Sequence, residues 1–288
     1  MSSARAALFA AALAGVLALA SASGGLLLAA GVAVVQMFFT LSGVRSAVSG
    51  SARPAAWLAL VAGLGAVVWT QVNAAPSLTP MVAMLGPVML IAIVIQLTRR
   101  DGRSGLTRDL SFTVTACVLS ILPVAWVTLR ATREGAYSVA LSLLGVGLLS
   151  LAEALPISRS VRRVFGVVLA GAGAAGLAML VGSVSEAVPA VSGVVLGTFS
   201  GVMAAIAFAV VDRVGDELGP ERGPVPVMVP DDTATAVGST PQQHSDPDEP
   251  VEPAGPLPGS AALLPLAVTL PFITAAPVAY VLGRILVG

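Results

Sequence analysis

Nine long apolar segments make up most of this sequence, and each is long enough to cross a lipid bilayer as a helix. A spanning helix needs roughly 20 mostly apolar residues, and the candidates cover 6–22, 24–41, 54–72, 78–97, 110–129, 136–155, 164–182, 190–211 and 261–285. Helices satisfy their own backbone hydrogen bonds in lipid, and the alternating pattern of a membrane barrel is missing. We therefore predict an all-α, polytopic helical membrane bundle of about nine transmembrane helices, with the lipid bilayer as its main partner.

The composition agrees with this prediction. Hydrophobic residues make up 56% of the chain and charged residues 10%, with a mean hydropathy of +0.94. Soluble proteins have roughly 25% charged residues, so this chain has too little charge to cover a soluble fold. The net charge of zero gives no indication of nucleic-acid binding. A single cysteine, Cys117, excludes an internal disulfide and a cysteine-based metal cluster, and no motif predicts a metal or another cofactor.

The arginines predict the orientation of the chain. All 15 basic residues are arginines, which is typical of GC-rich coding such as that of actinobacteria. The N-terminus and every second loop thereafter hold most of them, whereas the opposite side holds only Arg130, Arg133 and Arg284. Since cytoplasmic loops are enriched in basic residues, we predict a bacterial inner-membrane protein with a cytoplasmic N-terminus and an external C-terminus.

The first apolar segment has two interpretations. Arg5, the apolar run after it and the small residues Ala20–Ser23 also resemble a secretory signal with its cleavage site. Cleavage would leave eight spans. We favour an uncleaved first helix, because no exported soluble domain follows it.

One segment, 212–260, differs from the rest of the chain. It contains ten of the 20 prolines and ten of the 15 acidic residues, and such a composition cannot bury enough apolar surface to fold. The sequence therefore predicts membrane helices one to eight in 1–211, a disordered acidic cytoplasmic loop in 212–260 and a final membrane helix in 261–288. The loop is either a plain tether or a docking segment for a basic partner.

Small residues recur at every fourth position in the seventh and eighth segments. The eighth contains two overlapping GxxxG units, formed by Gly193, Gly197 and Gly201. Such ridges let helix backbones approach closely in membranes. We expect the seventh and eighth spans to form a tight internal pair, or the eighth span to mediate a homodimer.

Few polar or charged residues are candidates for function within the spans. Charges at depth are costly and often functional, and Glu153 and Asp212 are the two that lie near the cytoplasmic ends of spans. Gln36, Gln71 and Gln96 are neutral, and we expect them only to bridge helices. Two basic clusters lie close by on the cytoplasmic side and are candidates for binding lipid head groups or phosphate: Arg99 and Arg100, and Arg159, Arg162 and Arg163. Pro87 and Pro123 should kink the fourth and fifth spans.

Three stretches resemble the phosphatidate cytidylyltransferase (CDP-diacylglycerol synthase) family. They are Arg108–Val114, the segment from Gly193 to Asp212, and Ala276–Leu282. The resemblance implies a polytopic fold with its active side in the cytoplasm.

The chain departs from that family where catalysis would take place. The family places lysine pairs, a His-Gly-Gly turn and closing acidic residues between its last two helices. This chain has the acidic segment there, without lysine, and Ser260–Leu263 replaces the closing acids. Asp212 alone carries over. The resemblance therefore implies a degenerate relative that has lost catalysis.

Three functions follow as hypotheses. The first is a non-enzymatic accessory or scaffold protein in cell-envelope or lipid metabolism, with a membrane-protein partner or a second copy of itself. The second is a membrane enzyme similar to phosphatidate cytidylyltransferase, using Asp212, Glu153 and the cytoplasmic arginines with a divalent metal. The third is a transporter of a small molecule or lipid, with a cavity between the kinked fourth and fifth spans.

Overall fold

The computed structural model of the protein describes residues 3–46, 52–73, 77–98, 106–132, 134–182, 189–218 and 258–286. These ranges are almost entirely helical and contain no β-strand. The predicted all-α class is confirmed. In chain order the helices are α1 (Ser3–Ser23), α2 (Gly25–Ser46), α3 (Ala52–Asn73), α4 (Thr79–Thr98), α5 (Leu106–Ile121), α6 (Val124–Arg130), α7 (Gly135–Glu153), α8 (Arg159–Gly182), α9 (Ala190–Leu218) and α10 (Pro258–Leu286).

The described ranges contain nine segments that are long and apolar enough to cross a membrane. Eight of them are single helices. The ninth, Asp109–Arg130, combines α5 and α6. The chain is thus a multi-pass helical bundle, as the apolar segments predict.

The fifth span is broken at Pro123. Leu122 still donates to the carbonyl of Val118 four residues earlier, but Ala125 and Trp126 donate three residues back, to Leu122 and Pro123. Proline has no backbone N–H and cannot continue the ladder, so α5 ends and α6 begins around it. Helix α4, in contrast, is continuous through Pro87.

The helices pack around a core that lies where α6 and α10 meet. Trp126, which is 1% exposed, lies in this core and its indole nitrogen donates to the carbonyl of Phe272 on α10 at 3.1 Å. Helix α1 packs along α7, and α7, α8 and α9 contact one another. Helix α4 lies at the edge of the bundle and packs on α3 and α5. This arrangement makes α7, α8 and α9 a compact unit within the larger bundle.

The two predicted sides of the membrane correspond to opposite ends of the bundle. At one end Arg130 Nε donates to the carbonyl of Ser21, at the end of α1, at 2.6 Å. Helix α7 begins at this end and carries the chain to the other, where Glu153 lies beside the first turn of α8. Charged residues of α7, α8 and α9 therefore meet at the end that the arginine pattern assigns to the cytoplasm.

Candidate functional site

A network of six charged side chains lies where α7 ends, α8 begins and α9 ends. Arg159 and Arg163 are four residues apart on α8, and Asp212 and Asp216 are four residues apart on α9. Residues at this spacing lie on one face of a helix. Two acidic side chains of α9 thus face two basic side chains of α8, and Glu153 and Arg162 complete the network.

Glu153 lies at the centre of the buried part of the network. Its side chain is 4% exposed, and its carboxylate contacts two guanidinium groups. Arg162 Nε donates to Oε2 at 2.7 Å, and Arg163 Nε lies 3.4 Å from Oε1. Arg162 also donates to the carbonyl of Leu155 at 3.3 Å, within the turn that joins α7 to α8. One guanidinium thus ties the end of α7 to the turn that leads into α8.

The remaining pairs join α8 to α9. Arg163 Nη2 donates to Asp212 Oδ2 at 2.6 Å, and Arg159 Nη1 donates to Asp216 Oδ2 at 3.2 Å. Arg159 Nε also lies 4.0 Å from Asp212 Oδ2. Positive and negative groups alternate along this chain of contacts. The network therefore connects three helices through charge-assisted hydrogen bonds, which are stronger than neutral ones.

The charges of the network balance one another. Three arginines face three carboxylates, so the six groups together offer no excess positive charge to a phosphate. A phosphate oxygen would have to displace a carboxylate that already accepts from the same guanidinium. Within the described ranges, no group of three or more His, Cys, Asp or Glu side chains is placed to hold a metal ion. The geometry is that of a cross-link between helices.

The structure brings five of the candidate residues from the sequence into this one network: Glu153, Asp212, Arg159, Arg162 and Arg163. Glu153, which the sequence places near the cytoplasmic end of its span, is both buried and paired with arginine. The other basic candidates, Arg99 and Arg100, lie outside the described residues, as does 219–257, the larger part of the predicted disordered loop.

Asp216 is the residue of the network that the sequence analysis missed. It fell in the predicted loop 212–260, but α9 continues to Leu218, so the first residues of that segment are helical. Helix α9 therefore continues past Val211, and this part of it carries the two aspartates that pair with α8. The spacing of Asp212 and Asp216 was the available signal. Helix α10 likewise begins at Pro258 rather than at 261.

The three ridge glycines of α9 lie against α8 of the same chain. A Cβ atom placed on Gly193 would lie 2.7 Å from the Cβ of Ala178, and one on Gly201 would lie 2.8 Å from the Cβ of Ala170. On Gly197 it would lie 2.6 Å from the carbonyl oxygen of Ala170 and would also meet Ala174. The two backbones are therefore in direct contact along this ridge.

Helix α7 joins the same contact through Gly145. A Cβ atom on Gly145 would lie 2.6 Å from the carbonyl oxygen of Gly197. Helices α7, α8 and α9 thus converge at this level of the bundle. The ion network joins the same three helices at the end that the arginine pattern assigns to the cytoplasm. In lipid, where apolar burial gives little drive for helix association, such close packing is a main source of stability.

The three glutamines bridge helices by neutral hydrogen bonds. Gln36 Nε2 donates to the carbonyl of Ser120 at 2.8 Å, and Gln71 Nε2 to that of Gly25 at 2.9 Å. Gln96 Nε2 donates to the hydroxyl of Thr113 at 3.2 Å. Gln36 is the one whose partner lies beside the break at Pro123.

Comparison of the chain with protein-family models, with curated proteins and with solved structures found no match.

Proposed function

We propose that this protein is a non-enzymatic accessory or scaffold protein of a bacterial inner membrane, with a role in cell-envelope or lipid metabolism. The observation that supports it most is the charge balance at the end of α7, α8 and α9. A site for a nucleotide or for a metal needs an excess of charge or clustered carboxylates. Here each carboxylate accepts from an arginine of the neighbouring helix. The resemblance of three stretches to phosphatidate cytidylyltransferases supports the choice of lipid metabolism.

The absence of a charged ligand can be tested by ligand-dependent stabilisation. A ligand that binds only the folded state raises the unfolding temperature with its concentration. We expect inorganic phosphate and Mg²⁺, added separately to the protein in mild detergent, to leave that temperature unchanged beyond the effect of matched NaCl. A saturable rise that disappears in Arg163→Gln or Asp212→Ala would favour the enzyme hypothesis instead.

The orientation proposed here places the ion network in the cytoplasm and Asn73, at the end of α3, outside. The native Cys117 is buried, so the unmodified protein should react poorly with maleimides and is the control. We expect Asn73→Cys to react with a membrane-impermeant maleimide in intact spheroplasts. Asp216→Cys should react only after the membrane is permeabilised. Labelling of Asp216→Cys in intact spheroplasts would indicate the opposite orientation and contradict this part of the proposal.

Transport is the second candidate, and one observation favours it. The fifth span is broken at Pro123, and the buried Gln36 hydrogen-bonds to Ser120 beside the break. Transporters often bind substrate where a spanning helix is discontinuous near mid-depth. Protein-dependent uptake of a small solute into proteoliposomes would favour this function over the scaffold.

A further inference from the structure

Three residues meet at the middle of their spans. Gln36 is the twelfth of 22 residues of α2, and Gly63 is the twelfth of 22 residues of α3. Ser120 is the twelfth of the 22 residues of the span Asp109–Arg130. A bilayer core contains no water to complete an unpaired hydrogen bond at this depth. Any polar atom here must find its partner within the protein or in something the protein holds.

Two polar atoms in this group have no hydrogen-bond partner among the residues that the structure describes. Gln36 uses its Nε2 on the Ser120 carbonyl at 2.8 Å, which leaves its Oε1 without a donor. The hydroxyl of Ser120 is also without a partner. Both side chains are 0% exposed. One atom can only accept, and the other can both accept and donate.

Helix α3 packs against both groups at Gly63. A Cβ atom on Gly63 would lie 2.5 Å from Ser120 Oγ and 3.0 Å from the Gln36 carboxamide carbon. Helix α3 thus lies in close contact with both groups, and the hydrogen bond from Gln36 Nε2 to the Ser120 carbonyl makes their unpartnered atoms neighbours. Glycine at this position keeps α3 from covering them with a side chain, and any larger residue would press on the hydroxyl.

We infer that Gln36, Gly63 and Ser120 form a buried site at mid-depth of the bundle that binds one water molecule. A water molecule donates one hydrogen bond to Gln36 Oε1 and exchanges another with Ser120 Oγ. Buried polar groups in proteins are nearly always paired, and internal water is the usual partner where the protein supplies none. A cation would lack a counter-charge, since the three residues are neutral. This inference is independent of the proposed function.

The site adjoins the break at Pro123, which gives the water a structural role. Gln36 holds the last turn of α5 through the Ser120 carbonyl, and the water fixes the other end of the same carboxamide. The hinge between α5 and α6 would therefore be held by a hydrated contact to α2, rather than by apolar packing alone.

Ser120→Ala tests the inference in the full-length protein, by reversible unfolding in mixed micelles. If the hydroxyl binds water, its loss removes that bond and leaves Gln36 Oε1 poorly satisfied. The unfolding equilibrium constant should then rise about tenfold. The matched control is Ser150→Ala, because Ser150 is equally buried but donates to the Val146 carbonyl of its own helix at 2.8 Å. The control should change the constant much less.

An unchanged or lower unfolding constant in Ser120→Ala would overturn the inference, since removing a truly unpaired hydroxyl relieves a cost. The unmodified protein gives a second, independent measurement. A high-resolution density map should contain an ordered peak within hydrogen-bond distance of both Gln36 Oε1 and Ser120 Oγ. A map in which the neighbouring side chains are well defined but this peak is missing would also refute the site.

Discussion

Gly197→Leu is expected to prevent the packing of α9 on α8 and to abolish the folded, monodisperse protein in detergent. Even the first atom of the new side chain would meet the Ala170 carbonyl oxygen at 2.6 Å and the methyl group of Ala174. Neither can move without moving the α8 backbone, and Gly145 of α7 contacts Gly197 from a third direction. Overpacking typically costs about 1–3 kcal/mol of unfolding free energy, and a clash with backbone places this variant at the upper end of that range.

The matched control for this variant is Gly176→Leu. Gly176 lies on α8, in the same helix pair, but a Cβ atom there would meet nothing within 4 Å. The same change in size and helix propensity is thus made on a face without a neighbour. Size-exclusion chromatography and unfolding in mixed micelles should distinguish the two variants. Equal behaviour of Gly197→Leu and the native protein would show that the ridge is not a close contact.

Glu153→Ala is expected to cause the second large loss of stability. The carboxylate is 4% exposed and neutralises Arg162, whose side chain is 12% exposed, together with Arg163. Without this carboxylate, the guanidinium groups of Arg162 and Arg163 lose the negative charge that they share. Removing one partner of a buried pair costs about 3 kcal/mol or more, because the remaining charge stays desolvated. Unfolding in mixed micelles measures this loss.

Asp216→Ala is the control for Glu153→Ala within the same network. Asp216 is paired with Arg159, but their side chains are 67% and 59% exposed. Exposed pairs contribute about 0–1 kcal/mol, so this variant should retain nearly the full stability. A loss as large as that of Glu153→Ala would mean that the network acts as one unit and that burial does not decide its strength.

The spans were predictable from the sequence because their length and apolar content leave few alternatives in a membrane. The nine predicted segments match the nine found in the described ranges to within a few residues at most ends. The deviation at the end of α9 has a specific cause. Apolar content marks where a helix leaves lipid, whereas Asp212 and Asp216 extend α9 beyond that point by pairing with α8.

The candidate residues were predictable in kind, but their pairings were not. The spacing of Gly193, Gly197 and Gly201 indicates a close contact, yet it does not say whether α8 or a second copy makes it. Gln36 and Ser120 lie 84 residues apart in the chain, and neither has a local pattern that points to the other. Such contacts depend on how the helices are arranged around one another, which apolar periodicity does not encode.

Native mass spectrometry tests the central claim most directly, with the protein extracted from its own host in mild detergent. The scaffold proposal predicts the intact chain in a stoichiometric complex with another membrane protein, or with a second copy, and without bound nucleotide or metal. A single chain that carries a nucleotide or divalent metal, and no protein partner, would contradict the proposal and favour an enzyme.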